Sequence, residues 1–284
     1  MSFGYQVLGF GSGVSAAVEY NVEYLVIAGG GGGGYGYTGG YYAGGGGGGG
    51  YRNSYASENS GKASSTLTVA TFSGGETYTC TVGAGGAGTS NGLNGVVGVN
   101  SSLIGTGVSI TSLGGGYGQG GNDGVAQVGG PGGCGGGAAD GQQFTSSVGG
   151  LGTALQGFDG GQSLTNNASG GGGGGTGAVG QDATSTNMAG GAGQASSITG
   201  SSVTRSVGGM GGKVSAGTAK IGNTGDGGDG TQSDAHVPSA GATGVVILRM
   251  LTADYSGTTS GSPTVSTSGS DTILLFSGSG SYTA

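Results

Sequence analysis

Residues 21–50 read NVEYLVIAGGGGGGYGYTGGYYAGGGGGGG, and the fold turns on how that stretch is understood. Its first eight residues, to Ala28, are the aliphatic, aromatic and β-branched types that suit a buried strand. They run without a turn into six glycines and, past a tyrosine-rich link, into seven more. Glycine loses more conformational freedom on ordering than any other residue, yet the chain carries 82 of them in 284 residues. Something must repay that ordering.

Two ordinary explanations of a glycine-rich chain fail. Disordered segments are rich in charge and proline, whereas charged residues here are 7% and prolines three. The apolar residues are also clustered, as VEYLVIA, TLTVATF, YTCTV, GVVILRML and DTILLF, which read as strands. Collagen needs glycine at every third position with abundant proline, and runs such as Gly44–Gly50 and Gly170–Gly175 break that register.

The remaining solution is a backbone core. Ordering costs about 1–2 kcal/mol per residue, and a buried Val or Leu returns about 1.5–3 kcal/mol. With one third of the residues apolar, side-chain burial falls short. Polyglycine can take the threefold polyproline II helix, which has no internal hydrogen bonds and points every backbone donor and acceptor outward. Such helices satisfy those groups only by packing on one another, at a distance glycine alone permits. The sequence therefore predicts an all-β framework around packed polyglycine II segments at Gly29–Gly34, Gly44–Gly50, Gly114–Gly116, Gly132–Gly137 and Gly170–Gly175, with essentially no α-helix. VEYLVIA and GVVILRML bracket this body and are expected in one sheet. TLTVATF (66–72) and TYTCTV (77–82), joined by Ser73-Gly74-Gly75-Glu76, read as a hairpin.

Texture divides the chain into a mildly apolar arm (1–20), expected to dock on another protein, a glycine-rich body (21–250) and a Ser/Thr-rich β segment (251–284). The six basic residues are scattered in a chain of net charge −7, which argues against a nucleic-acid partner. No apolar run approaches the roughly 20 residues of a membrane span, and no signal peptide is expected from MSFGYQVLGFGSG. Cys80 and Cys134 leave one disulfide or two free buried thiols open.

Catalytic patterns are missing. GxGxxG recurs by chance in so many glycines, and none follows a strand and opens a helix. VGGMGGKV (207–214) has Val207 and Val214 where a phosphate loop needs Gly and Ser or Thr. His236, the sole histidine, reads as a solvated loop residue. GDGGDGTQSDAH (225–236) sets Asp226, Asp229 and Asp234 within reach of a hard cation, but without an EF-hand's spacing and final Glu; a solvated acidic loop is the plainer reading. No enzyme activity, cofactor or metal is expected. Tyr35, Tyr37, Tyr41, Tyr42, Tyr51 and Tyr55 crowd one short window. They form either a sheath over the glycine core or a recognition surface of apolar faces with polar tips.

VEYLVIAGGGGGG (22–34), YTCTVGAGGAG (78–88), NGLNGVVGVNSSLIG (91–105), GAVGQDATSTNMAGGAGQASSITGSSVTRSVGGMGG (177–212) and GATGVVILRM (241–250), in that order, resemble glycine-rich tail-fibre and virion proteins of tailed bacteriophages, of the marine and cyanobacterial type. The chain is more distantly similar to the distal adhesins of T-even-like phages. The resemblance implies layered polyglycine II helices, a place in the virion after synthesis in the host cytoplasm, other virion proteins as neighbours, and a homotrimer. It also implies a tail-fibre component or tip adhesin that binds a host surface glycan or envelope protein. The alternative is an architectural part, such as a capsid decoration, fibre segment or extracellular filament subunit, without receptor binding.

Overall fold

The computed structural model describes residues 17–284 apart from 38–40, 64, 91, 122–127, 141–145, 165–168 and 233–235. Most of the predicted docking arm, and Asp234, lie outside the described residues. The fold is all-β, with one short 3-10 turn at Thr252–Asp254. In chain order the strands are β1 (Glu19–Ile27), β2 (Tyr51–Asn53), β3 (Ala70–Ser73), β4 (Thr77–Thr81), β5 (Ser101–Gly105), β6 (Val108–Ser112), β7 (Ser146–Ser147), β8 (Ser163–Leu164), β9 (Gln194–Ser196), β10 (Val203–Arg205), β11 (Val245–Leu251), β12 (Thr258–Ser260), β13 (Thr264–Ser268), β14 (Asp271–Phe276) and β15 (Gly280–Thr283).

Two antiparallel sheets form a sandwich. One runs β13-β14-β11-β1-β2, with β3 also on β1; the other runs β12-β15-β4-β5-β6. The two bracketing strands pair as expected, Glu23 opposite Arg249 through Ile27 opposite Val245. Side-chain alternation then splits β1 and β11 between two cores. Val22, Tyr24, Val26, Val246 and Leu248 face the second sheet with Phe72, Tyr78, Leu103 and Tyr282. Leu25, Ile27, Val245 and Ile247 face the other way, onto Tyr51 and Ile198. Both faces are buried, which is why these strands lack the polar alternation of a surface strand.

The predicted hairpin at 66–82 is not one. β3 pairs with β1 in the first sheet, and β4 pairs with β15 and β5 in the second. The connection through Gly75, at φ +84°, crosses the sandwich instead. Phe72 and Tyr78, one from each sheet, stack face to face across the core, centroids 3.6 Å apart, and tie the two sheets together on either side of that connection. The Ser/Thr-rich stretch 251–284 supplies β12–β15 and so completes both sheets.

Below the sandwich the chain changes period from two to three. In 28–35, the N–H groups of Gly29 and Gly32 donate to Val99 and Val96, those of Gly30 and Gly33 to Ala242 and Ser239, and those of Gly31 and Gly34 to Gly47 and Gly44. The carbonyls repeat the pattern toward 115–121, 86 and 228–231. The glycines of these runs keep φ negative, as polyglycine II requires. Segment 28–35 thus has six neighbours, and so do 43–50 and 170–176.

These bonds define a hexagonal array. One row holds 93–99, 113–121, 133–139 and 157–162; the middle row holds 83–88, 28–35, 43–50, 170–176 and 177–183; the third holds 237–244, 225–231, 205–212 and 188–193. Segments 128–130 and 147–152 begin a further row. The three longest glycine runs fill three enclosed positions, where neighbours on every side leave no direction for a Cβ; 133–139 also has six neighbours and confines Cys134, Ala138 and Ala139 to its ends. Peripheral segments carry side chains on their free faces, as 93–99 does with glycine only at Gly95 and Gly98.

Sandwich and array are one continuous structure. β1 runs directly into 28–35, 43–50 into β2, and 237–244 into β11, so the strand order β11-β1-β2 repeats the segment order. The same holds for β4, β5 and β6 with 83–88, 93–99 and 113–121.

Candidate interaction surface

Array segments that continue into the sandwich have their other ends on the opposite side. There the chain passes from 35 to 43, from 88 to 93 and from 231 to 237. Residues at this end are held on fixed stems but are free of the lattice rule that excludes side chains.

The six tyrosines separate into distinct roles. Tyr51 is fully buried among Leu25, Ile27 and Ile198, and its hydroxyl accepts a hydrogen bond from Asn53 Nδ2 at 3.5 Å. Burial pushes its phenol well above the ordinary range, and it leaves the candidate set. Tyr55 is half-buried with the Arg249 guanidinium 4.9 Å over its ring. Tyr42 is buried and its hydroxyl accepts from Gln232 Nε2 at 2.7 Å. Tyr35 is buried at the end of its segment. Tyr37 is 41% exposed, and Tyr41 lies beside it, ring centroids 6.4 Å apart and tilted by 53°. These two come together against Gly92 and Gly121, where a Cβ would stand 3.1 Å from the Tyr37 ring and 2.9 Å from Tyr41 Cβ. The sheath reading describes Tyr35, Tyr42 and Tyr51, whereas Tyr37 and Tyr41 stay accessible.

At the same end, Asp140 donates its backbone N–H to the Tyr42 carbonyl. Burial raises the Asp140 carboxyl to about 6. A carboxyl raised in the folded state costs stability as pH climbs from the ordinary value of about 4 through 6. Asp140→Asn is therefore expected to raise the melting temperature at pH 7 and leave it unchanged near pH 4. Parallel thermal melts at the two pH values check this; equal shifts at both would remove the ionisation argument.

At Asp229 the acidic loop is not solvated. Asp229 is buried, with Lys220 Nζ 2.6 Å from Oδ1 and Lys213 Nζ 3.2 Å from Oδ2. Met210 N–H and Thr218 N–H also donate to it. Its oxygens are occupied by the protein's own donors, so it does not present them to a cation. Asp226 accepts from Val207 N–H. This is part of a wider pattern that sequence reasoning missed. Where the array runs out of neighbours, a side-chain carbonyl takes the waiting donor: Asn94 for Gly120, Asn100 for Gly114, Asp159 for Gly152, Asp182 for Gln162. The scarce polar residues spaced among the glycines were the available signal.

Cys80 and Cys134 are free and buried, settling the open alternative in favour of two thiols. Burial pushes Cys80 up to about 12 and Cys134 higher still, so neither is a nucleophile at neutral pH.

Compared with known families, residues 12–251 match the family model described as a glycine-rich domain. No curated protein matches the chain.

Proposed function

The chain belongs to the glycine-rich domain family, and we propose that it is a virion structural protein of a tailed bacteriophage, a tail-fibre component or tip that presents the far end of the array to the host surface. The observation that carries this reading is the Tyr37–Tyr41 pair, held accessible at the end opposite the sandwich on segments locked by six neighbours. Tyrosine pairs suit sugar faces and protein surfaces alike, with a rigid ring and a polar tip. A stiff stem lowers the ordering cost of binding, and several copies in a homo-oligomer, a trimer in the simplest fibre, would multiply weak contacts. Other virion proteins would hold the opposite, sandwich end.

Changing Tyr37 and Tyr41 together to Ala is expected to lower adsorption to host envelopes by about tenfold or more, the loss of a typical hot spot, while melting stays within a degree or two of wild type. Unchanged adsorption with an intact melt would favour a purely architectural part. Tyr51→Ala serves as the contrast: it should fail by unfolding, since the ring fills a core.

A further inference from the structure

One face of the array is unfinished. Edge segments 147–152 and 177–183 stand on either side of 157–162 and leave a groove of about 480 Å³ along its outer face. Its walls carry Val148, Leu151 and Val179, each more than half exposed, Leu151 at 68%. Its lining includes Gly149 and Gly160. The Gly149 N–H and C=O and the Gly160 C=O have no protein partner among the described residues. In the enclosed segments most such groups meet another threefold segment.

The opposite side of the array ends in a ridge. Segment 93–99 carries Leu93, Val96 and Val99, all about half exposed, at a spacing of three. In a threefold helix such residues form one straight row, repeating about every 9.3 Å, three times the 3.1 Å rise. Val148 and Leu151 on the groove wall have the same spacing and hence the same repeat. The Asn94 and Val97 N–H groups, also three apart, have no partner among the described residues. The ridge thus offers apolar side chains and free donors at one period; the groove offers an apolar wall at that period and, on two adjacent segments, the free Gly149 and Gly160 acceptors. Exposed aliphatic rows of this kind mark interaction sites on soluble proteins.

We propose that the occupant of the groove is the Leu93–Val96–Val99 ridge of a second copy of this chain. The contact is heterologous, since ridge and groove are different surfaces, so each copy keeps one of each free for the next. Copies then continue the array from one molecule into another, closing into a ring or extending as a row. This deepens the homo-oligomer part of the proposed function and is independent of Tyr37 and Tyr41, so a failed adsorption test leaves it standing.

Two charge variants test it by sedimentation over a concentration series. Wild type should form assemblies larger than a dimer as concentration rises. Leu151→Glu destroys the groove and Val96→Glu the ridge, and each variant alone should remain monomeric with the wild-type melting temperature. Mixed in equal amounts, they should form dimers and nothing larger, because only one intact ridge and one intact groove remain to meet. Leu151→Ser and Val96→Ser replace them if either melts early. Wild type that stays monomeric at every soluble concentration, a single variant that still assembles, or a mixture without dimers each overturns the proposal.

Discussion

Gly173→Val is expected to abolish the soluble folded protein, or to lower its melting temperature by about ten degrees or more. A Cβ at Gly173 would stand 1.9 Å from the Gly46 carbonyl oxygen, so the neighbouring segment would have to retreat by about 1.5 Å to reach ordinary contact at 3.4 Å. Retreat is blocked, because Gly46 is itself in an enclosed segment bonded to Gly228 and Gly209. Displacement breaks at least two backbone bonds and leaves their partners buried at about 1–3 kcal/mol each, on top of about 1–3 kcal/mol for overpacking. A loss of roughly 3–9 kcal/mol consumes much of the 5–15 kcal/mol that holds a typical domain. Gly47→Val should behave alike, its Cβ falling 2.2 Å from the Cys134 oxygen. Gly278→Val is the control: a Cβ there meets nothing within 4 Å and should change stability by less than about 0.5 kcal/mol. Circular dichroism melts of the three variants decide the matter. If the two array variants melt with wild type, the backbone core is wrong.

Asp229→Asn is expected to cost about 3–5 kcal/mol at neutral pH. It leaves Lys213 and Lys220 facing an amide in a site where the aspartate side chain is 1% exposed. The loss also has a pH signature. Burial alone would raise this carboxyl, but the Lys220 ammonium and hydrogen bonds from Lys220, Thr218 and Met210 overcome it and hold the group below the ordinary range. A depressed folded value means the stabilisation is complete above the unfolded value near 4 and disappears as pH falls through the folded one. The gap between wild-type and variant melting temperatures should stay level from pH 8 to about 5 and shrink below 4. A gap that does not change with pH would assign the effect to packing instead.

What could be read from residues alone follows the same physics. The long glycine runs were legible because enclosure along a whole segment excludes a Cβ, although the enclosed segment 133–139 shows only as a shorter run broken by Cys134. The pairing of β1 with β11 was legible because two doubly buried strands are the richest apolar runs in the chain. Segments 93–99 and 177–183 were not, since glycine at every third position leaves two faces for ordinary side chains and the period is masked by them. Nor did the sequence show that Lys213 and Lys220 converge on Asp229, because that geometry is set by the packing of 205–212 beside 225–231. The tyrosine window was visible as a cluster, but its division between core and surface depends on where each ring falls relative to the array ends.

The six-neighbour arrangement also governs how the chain must fold. Gly30 bonds to Ala242, Gly45 to Gly171 and Gly46 to Gly209, so each enclosed segment waits on partners from distant parts of the chain. A lone threefold helix has no internal hydrogen bonds to hold it, and closing long loops costs entropy before any contact repays it. Topologies dominated by such distant contacts fold slowly. Nucleation is therefore expected in the apolar strands of the sandwich, with the glycine segments registering once those strands have fixed their starting points. The same dependence works in reverse: no enclosed segment can leave without breaking bonds on every side, so the finished protein should unfold as a whole and slowly, its lifetime set by the barrier to opening the array and not by any one contact.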